Sequence, residues 1–385
     1  MNDRLALRLL QSEGPLTAGQ LKKLTGLSRP SVADLVERLG AAGLVAVVGE
    51  TGAERRGPNA RLYGIVADRA HLAGIDVRTH RVSVAVADLL GRTVAEDTLP
   101  VDPADEPGRT VDAASGLLER TVARAGVGTP HTLAVGAPGL VDPATGRLQH
   151  TGSLPHWHGE FVTRLRGTLG APVLLENEVN LAALAEQRLG AARDRDTFVL
   201  LWLGHGVGAA VILDGALRRG ASGGTGEIGF LPVPGTADPP TATDCDGGFF
   251  SLAGSAAVCA LAREHGLAVP GDAGDAAPAA EAVVRAAAAD GAGRADGFLD
   301  ALAARVAVGA AAVCAVLDPG CVVLGGETGR AGGDALAARV RGSLAGMIPL
   351  RTEVRAGSVG GGAVLRGAVL TAMDAAQDVL FSPPV

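Results

Sequence analysis

The sequence predicts an α/β protein in two parts: a small helical head closed by a β-hairpin, then a large body in which one mixed pattern is written twice. Three observations carry this. Apolar residues recur at helical spacing in three short segments before residue 40. After Ala67-Asp68 the period changes to that of strands. Three strands followed by alternating helix and strand then occur over 72–189 and again over 198–377.

The bulk numbers bound the reading. At 385 residues the chain exceeds one ordinary domain. Hydrophobic residues make up 47% but aromatic residues only 3%, so the core is built from Ala, Val and Leu. The 56 glycines imply many tight turns. No uncharged apolar run approaches the ~18 residues that span a bilayer. The opening Met1-Asn2-Asp3-Arg4 lacks the apolar stretch of a signal peptide. The expectation is a cytoplasmic protein with no membrane partner. The four cysteines (Cys245, Cys259, Cys314, Cys321) form no CxxC pair, which argues against a disulfide framework or a zinc ribbon.

Charge is uneven. Residues 1–66 hold nine Lys/Arg against six Asp/Glu, a net of +3, so the net of −7 leaves −10 on the remainder. A basic head on an acidic body suits a protein whose head alone meets nucleic acid.

In the head, Leu5, Leu7, Leu9 and Leu10 mark a first helix that ends at Gly14-Pro15. Thr17 is a candidate N-cap for a second helix over 18–24, and Gly26 a turn residue. Ser28 caps a third, with Pro30 in its first turn, where a missing N–H costs little. Val32, Leu35, Val36 and Leu39 give that helix one buried face. Ser31, Asp34 and Arg38 fall opposite, with Arg29 at the N-terminal edge. Strands over 44–48 and 61–66 flank a Gly-rich loop that carries Arg55 and Arg56. This is the pattern of a winged helix-turn-helix over residues 1–66, whose third helix enters the major groove and whose wing reaches phosphates. Arg29, Ser31, Arg38, Arg55 and Arg56 are the candidate DNA contacts. A three-helix docking module is the alternative, and it leaves the Arg-rich hairpin without a purpose.

In the body, strands over 72–77, 81–87 and 93–99 precede a helix over 110–125, a strand over 132–135, a helix over 159–169, a strand over 173–176 and a helix over 179–189. The second copy has strands over 198–203, 208–213 and 216–219, and Ala-rich helices between 252 and 316. A strand over 321–324, a helix over 331–344, a strand over 352–356 and a helix over 363–377 complete it. Gly/Pro-rich stretches near 234–248 and 268–278 read as surface insertions. The expected lobes are 70–192, with 363–380 returning to it, and 196–362.

Four segments then bring a family into view: Val135-Gly-Ala-Pro-Gly-Leu-Val-Asp142, Glu176-Asn-Glu-Val-Asn-Leu-Ala-Ala-Leu-Ala-Glu186, Leu203-Gly-His-Gly-Val-Gly208 and Gly223-Gly-Thr-Gly-Glu-Ile-Gly229. With Val322–Glu327, they make the chain resemble regulators of the ROK family, in which a winged helix-turn-helix precedes a sugar-kinase-like body. The resemblance implies a two-lobed actin/hexokinase-like (ribonuclease H-like) body. It implies sugar-binding roles for Gly136, Pro138, Gly139, Asn177, Glu178 and Glu227. It also implies a vestigial nucleotide site at Asp76, Gly204, Gly206, Gly208, Gly325 and Gly326.

Against the family's kinases four departures stand out. Their DxGGTK turn corresponds to Asp76-Val-Arg78-Thr79-His80-Arg81, where side chains replace both glycines that would let backbone N–H groups approach phosphate. Their general-base Asp corresponds to Glu178, one methylene longer. Their zinc-binding EIGH histidine corresponds to Phe230, and their cysteine cluster to Thr243–Phe250, which keeps only Cys245. Zinc needs four suitable ligands, so neither metal nor cofactor is expected. The expected function is a DNA-binding regulator, a homodimer or dimer of dimers on a two-half-site operator, that senses a sugar or sugar phosphate. A sugar kinase with a regulatory head and a ligand-blind regulator remain the alternatives.

Overall fold

The computed structural model describes residues 2–50, 60–149, 157–236, 238–270 and 276–382. In the head, α1 (Asn2–Ser12), α2 (Ala18–Thr25) and α3 (Arg29–Ala41) pack Ala6, Leu7, Leu10, Leu21, Val32, Leu35 and Leu39 inward. Thr17 caps α2 through a capping box with Gln20, and Ser28 caps α3 by accepting from the Ser31 N–H. Each cap satisfies helix N–H groups that would otherwise lack partners. A two-residue strand β1 (Leu16–Thr17) joins β2 (Val45–Glu50) and β3 (Arg61–Ile65) in the antiparallel order β1-β3-β2. β1 is too short to show a period, and the sequence reading missed it. The wing loop, with Arg55 and Arg56, lies outside the described residues.

In the body, β4 (His71–Arg78), β5 (Arg81–Asp88) and β6 (Thr93–Pro100) form an antiparallel meander. After α4 (Pro107–Arg124), β7 (Thr132–Ala137) pairs parallel to β4. After α5 (Trp157–Thr168), β8 (Val173–Asn177) pairs parallel to β7, and α6 (Glu178–Leu189) follows. The sheet order is β6-β5-β4-β7-β8.

The second lobe repeats this connectivity. β9 (Phe198–Leu203), β10 (Val207–Leu213) and β11 (Ala216–Arg218) form the meander. Four helices follow: α7 (Phe250–Ala253), α8 (Ser255–Glu264), α9 (Ala276–Asp290) and α10 (Gly293–Leu317). β12 (Cys321–Gly325), α11 (Gly326–Met347) and β13 (Glu353–Ala356) complete the sheet β11-β10-β9-β12-β13, with β12 parallel to both β9 and β13. α10 is long and apolar enough by composition to cross a membrane. It instead buries Phe298, Leu299, Leu302, Val306 and Ala310 in this lobe's core.

The last helix, α12 (Ala363–Leu380), returns to the first lobe and packs on β4, β7 and α6. Glycine permits both close contacts. A Cβ on Gly74 of β4 would lie 2.7 Å from Val369, and one on Gly367 would lie 2.0 Å from the Leu181 carbonyl oxygen. α6 also touches β9 and β10, so the α6–α12 pair sits at the boundary between the lobes.

α11 starts at Gly326, well before the expected residue 331, and is kinked at Gly333, where φ is 51°. The run Gly325-Gly326-Glu327-Thr328-Gly329 reads locally as a turn. Its glycines serve packing instead: a Cβ on Gly326 would lie 2.4 Å from the Leu203 carbonyl oxygen.

Candidate effector cleft and DNA-binding head

The cleft between the lobes is built where parallel strands end and helices begin, the place where α/β sheets usually hold ligands. From the first lobe come the Pro138-Gly139 loop after β7 and the start of α6. Asn177 caps α6, its Oδ1 accepting from the Val179 and Asn180 N–H groups at 2.8 and 3.2 Å. Its Nδ2 donates to the Gly139 carbonyl at 3.0 Å and to Glu178 Oε2 at 3.1 Å. An amide has two N–H donors and two acceptor positions. All four are in use, so Asn177 fixes the loop and the neighbouring carboxyl. Gly136 faces inward: a Cβ there would lie 2.6 Å from Leu181 and 2.7 Å from Val364. Pro138 and Gly139 are half-buried, and Glu227 is exposed at the start of the short turn that carries Phe230.

Glu178 is the chemically unusual group. Burial pushes its carboxyl up to about 8, against the pull of the Arg78 guanidinium, with Glu227 and Asp76 adding repulsion. At neutral pH it is mostly protonated, a hydrogen-bond donor and a poor general base. Behind it Glu176 is buried, and one of its oxygens accepts from Asn180 Nδ2 at 2.9 Å. The other pairs with Arg219 Nε at 2.7 Å, across the lobe boundary.

The half of the cleft where the resemblance expects a vestigial nucleotide site is filled by the protein's own side chains. Asp76 is buried and paired to Arg78 Nε at 2.7 Å. The Arg78 guanidinium lies over the Trp202 ring, 5.0 Å from its centroid, and 3.9 Å from Glu327. A Cβ on Gly204 would lie 2.2 Å from the Glu327 carboxylate, whereas Gly206 is open and Gly208 has room. What remains is a cavity of about 220 Å³ bordered by Arg78, Arg81, Trp202, Glu327 and Arg330. The sequence marks Arg78 as a departure. It does not reveal the roles of Trp202, Arg219 and Glu327, because their partners lie far away along the chain. Among the described residues no group of three potential metal ligands gathers.

In the head, Arg29 and Ser31 are exposed at the start of α3, though the Ser31 hydroxyl also bonds Ser28 at 2.8 Å. Arg38 is held by Asp3 of α1 at 2.8 Å and by Asp34 at 2.5 Å. These exposed pairs use two of its five N–H donors and set two carboxylates beside it. α1 also rests on the body. Arg4 and Arg8 both pair with Asp378, and Gln11 Nε2 donates to the Met373 sulfur at 3.8 Å. Ala6, Leu7 and Leu10 share one apolar core with Leu89, Met373 and Phe381.

A winged helix head set against a two-lobed body of duplicated ribonuclease H-like halves defines a class: regulators and kinases built on a sugar-kinase scaffold. The chain belongs to the ROK family, whose model matches residues 72–375, and residues 2–56 match the model of the MarR family. It is 24% identical over 236 residues to the xylose repressor of Bacillus subtilis, covering 60% of each chain. It is 26% identical over 244 residues to the DNA-binding transcriptional dual regulator NagC of Escherichia coli, covering 60% of this chain and 57% of that one. The chain thus spans about 60% of the length of the curated relatives it matches. Among solved structures, a ROK family transcriptional regulator homologous to the E. coli MLC protein superposes with a TM-score of 0.75 at 22% identity, over 99% of this chain and 97% of that one. The ROK hexokinase of Thermus thermophilus superposes with a TM-score of 0.64 at 26% identity, over 80% and 99%.

Proposed function

We propose that the protein is a DNA-binding transcriptional repressor whose kinase-type body senses a sugar or sugar derivative without phosphorylating it. The observation that carries this reading is the pairing of a winged helix docked on the body with a cleft whose phosphate turn is filled by Arg78. Relatives named xylose repressor and N-acetylglucosamine repressor support a sugar or sugar phosphate as the effector. In the cleft, Glu178 donates to a ligand hydroxyl and Glu227 accepts from one, while Asn177 and Gly136 hold the frame. Such sites discriminate well, because a ligand lacking the hydroxyl leaves a polar partner without its bond once the ligand covers it. Arg29 and Ser31 read bases, and Arg55 and Arg56, from the wing, meet phosphates on a two-half-site operator bound by a dimer. The protein works in the cytoplasm.

The test selects bound genomic fragments, then measures their affinity with and without xylose, N-acetylglucosamine and glucose. A sugar-dependent change supports the reading, and no change with any sugar favours a regulator blind to ligand. Arg55→Ala with Arg56→Ala should weaken binding to all sequences and flatten its salt dependence. Turnover of ATP with any of these sugars at even ~1 per second would make the protein a kinase with a regulatory head.

A further inference from the structure

Arg78 ends β4 at the β4–β5 turn, the turn that the resemblance matches to the glycine-bearing phosphate turn of the family's kinases. Three groups hold it, and they come from both lobes. Asp76, its partner at 2.7 Å, belongs to β4 of the first lobe. Trp202, beneath the guanidinium, is the next-to-last residue of β9 in the second lobe, and Glu327 lies in the first turn of α11 in that same lobe. Glu327 itself fills the hollow beside Gly204. A guanidinium suits this position because it is planar, permanently charged and weakly hydrated, so it can stack and pair at once.

We propose that Arg78 is a resident clasp between the lobes. It fills the position of a nucleotide's phosphates and their cation, and it keeps the cleft closed with no nucleotide bound. This goes beyond the sensing function and holds whichever sugar the other half of the cleft takes. Opposite charges on facing lobes supply the attraction. Without Arg78, no cation joins Asp76 to Glu327 across the cleft: Arg81, 3.8 Å from Asp76, stays on the first lobe, and Glu327 loses its partner from that lobe. The clasp thus favours closure, and it bars the nucleotide from the turn that would otherwise receive it.

The test uses the full chain carrying Trp157→Phe, which leaves Trp202 as the sole tryptophan. Arg78→Gly and Glu327→Gln are compared with this parent by small-angle scattering and by acrylamide quenching of Trp202. Arg78→Gly should enlarge the radius of gyration and raise quenching several-fold. Glu327→Gln leaves the guanidinium over the ring and cuts only the ion pair, and it should give a smaller enlargement of the radius. If Arg78→Gly leaves the radius unchanged, the clasp is overturned, even where quenching rises from loss of the cover alone. Should Arg78→Gly fail to fold, an unchanged radius in Glu327→Gln overturns the ion-pair closure by itself.

Discussion

Two side chains, Glu178 and His158, have charge states set by their surroundings, with opposite consequences for stability. The Glu178 carboxyl titrates at about 8 in the folded protein, against an ordinary value of 4.5. Between those values the folded state keeps a proton that the unfolded chain releases. Stability present below the lower value is therefore lost as pH rises through the upper one. Glu178→Gln keeps the donor and removes the titration, so it should flatten the fall in Tm between about pH 5 and pH 9. An unaltered slope would place the titrating group elsewhere. His158 is the converse. It is fully buried beside Trp157, with no hydrogen-bond partner on either ring nitrogen among the described residues. Burial lowers it from 6.5 to about 4. In that window the unfolded chain takes up the proton, so stability falls as pH drops from 6.5 toward 4. His158→Phe removes both the titration and two unsatisfied nitrogens. It should stabilise the protein by about 1–3 kcal/mol at neutral pH and by more at pH ~5, as read by urea denaturation. A loss at both pH values would mean that the ring shape fits the site better than phenyl.

At the scale of elements, the crossing of α6 and α12 is built on a missing side chain. Gly367→Ala places a methyl 2.0 Å from the Leu181 carbonyl oxygen, on rigid helix backbone that cannot swing away. The expected cost is about 3 kcal/mol or more, since overpacking a close backbone contact shifts both helices. Chemical denaturation measures it, and a cost below about 1 kcal/mol would show that the helices part freely. The sequence makes some of this architecture plain and hides the rest for physical reasons. Thr17 and Ser28 announce their helices because capping is local. The start of α11 is hidden because its glycines look like turn residues unless Leu203 and Leu324 are known to lie against them. Gly136 and Asn177 sit in motifs legible as a site, yet their partners, Leu181, Val364 and the Gly139 carbonyl, make them its frame. The sequence singles out Arg78 only as a lost glycine, and its positive role needs Trp202 and Glu327 beside it. Arg38 lies on the outer face of α3, as its spacing predicts, but Asp3, 35 residues away, claims its guanidinium.

At the scale of the molecule, α12 runs from the cleft to the head. Ala363 and Val364 border the cavity at one end, and Asp378 and Phe381 meet α1 at the other. Gln377 Nε2 donates to the Leu89 carbonyl at 2.9 Å, and Arg188 of α6 pairs with Asp374 at 3.2 Å, so the helix is fixed to the first lobe along its length. The head is thus seated on the first lobe by contacts as well as by the short link at Ala67–Arg69. A sugar-driven change in the angle between the lobes would then move the second lobe against a joined unit of head and first lobe. A dimer that joins through the second lobes would convert this into a change of spacing between two heads. Sugar-dependent DNA affinity needs a coupling of only about 1–3 kcal/mol. Asp378→Arg tests the seating. Arg4, Arg8 and Asp378 are all well exposed, so losing their pairs costs at most about 1 kcal/mol of stability. Three like charges in one place nonetheless push α1 off α12. The expected result, by calorimetry with the selected operator and the responding sugar, is an unchanged sugar affinity in the absence of DNA. The ratio of DNA affinities with and without sugar should fall toward one. By linkage, operator DNA would then also cease to alter sugar affinity. A ratio equal to the parent's would mean that the wing or the 67–69 link carries the signal, and that the contact of α1 with α12 only supports the head.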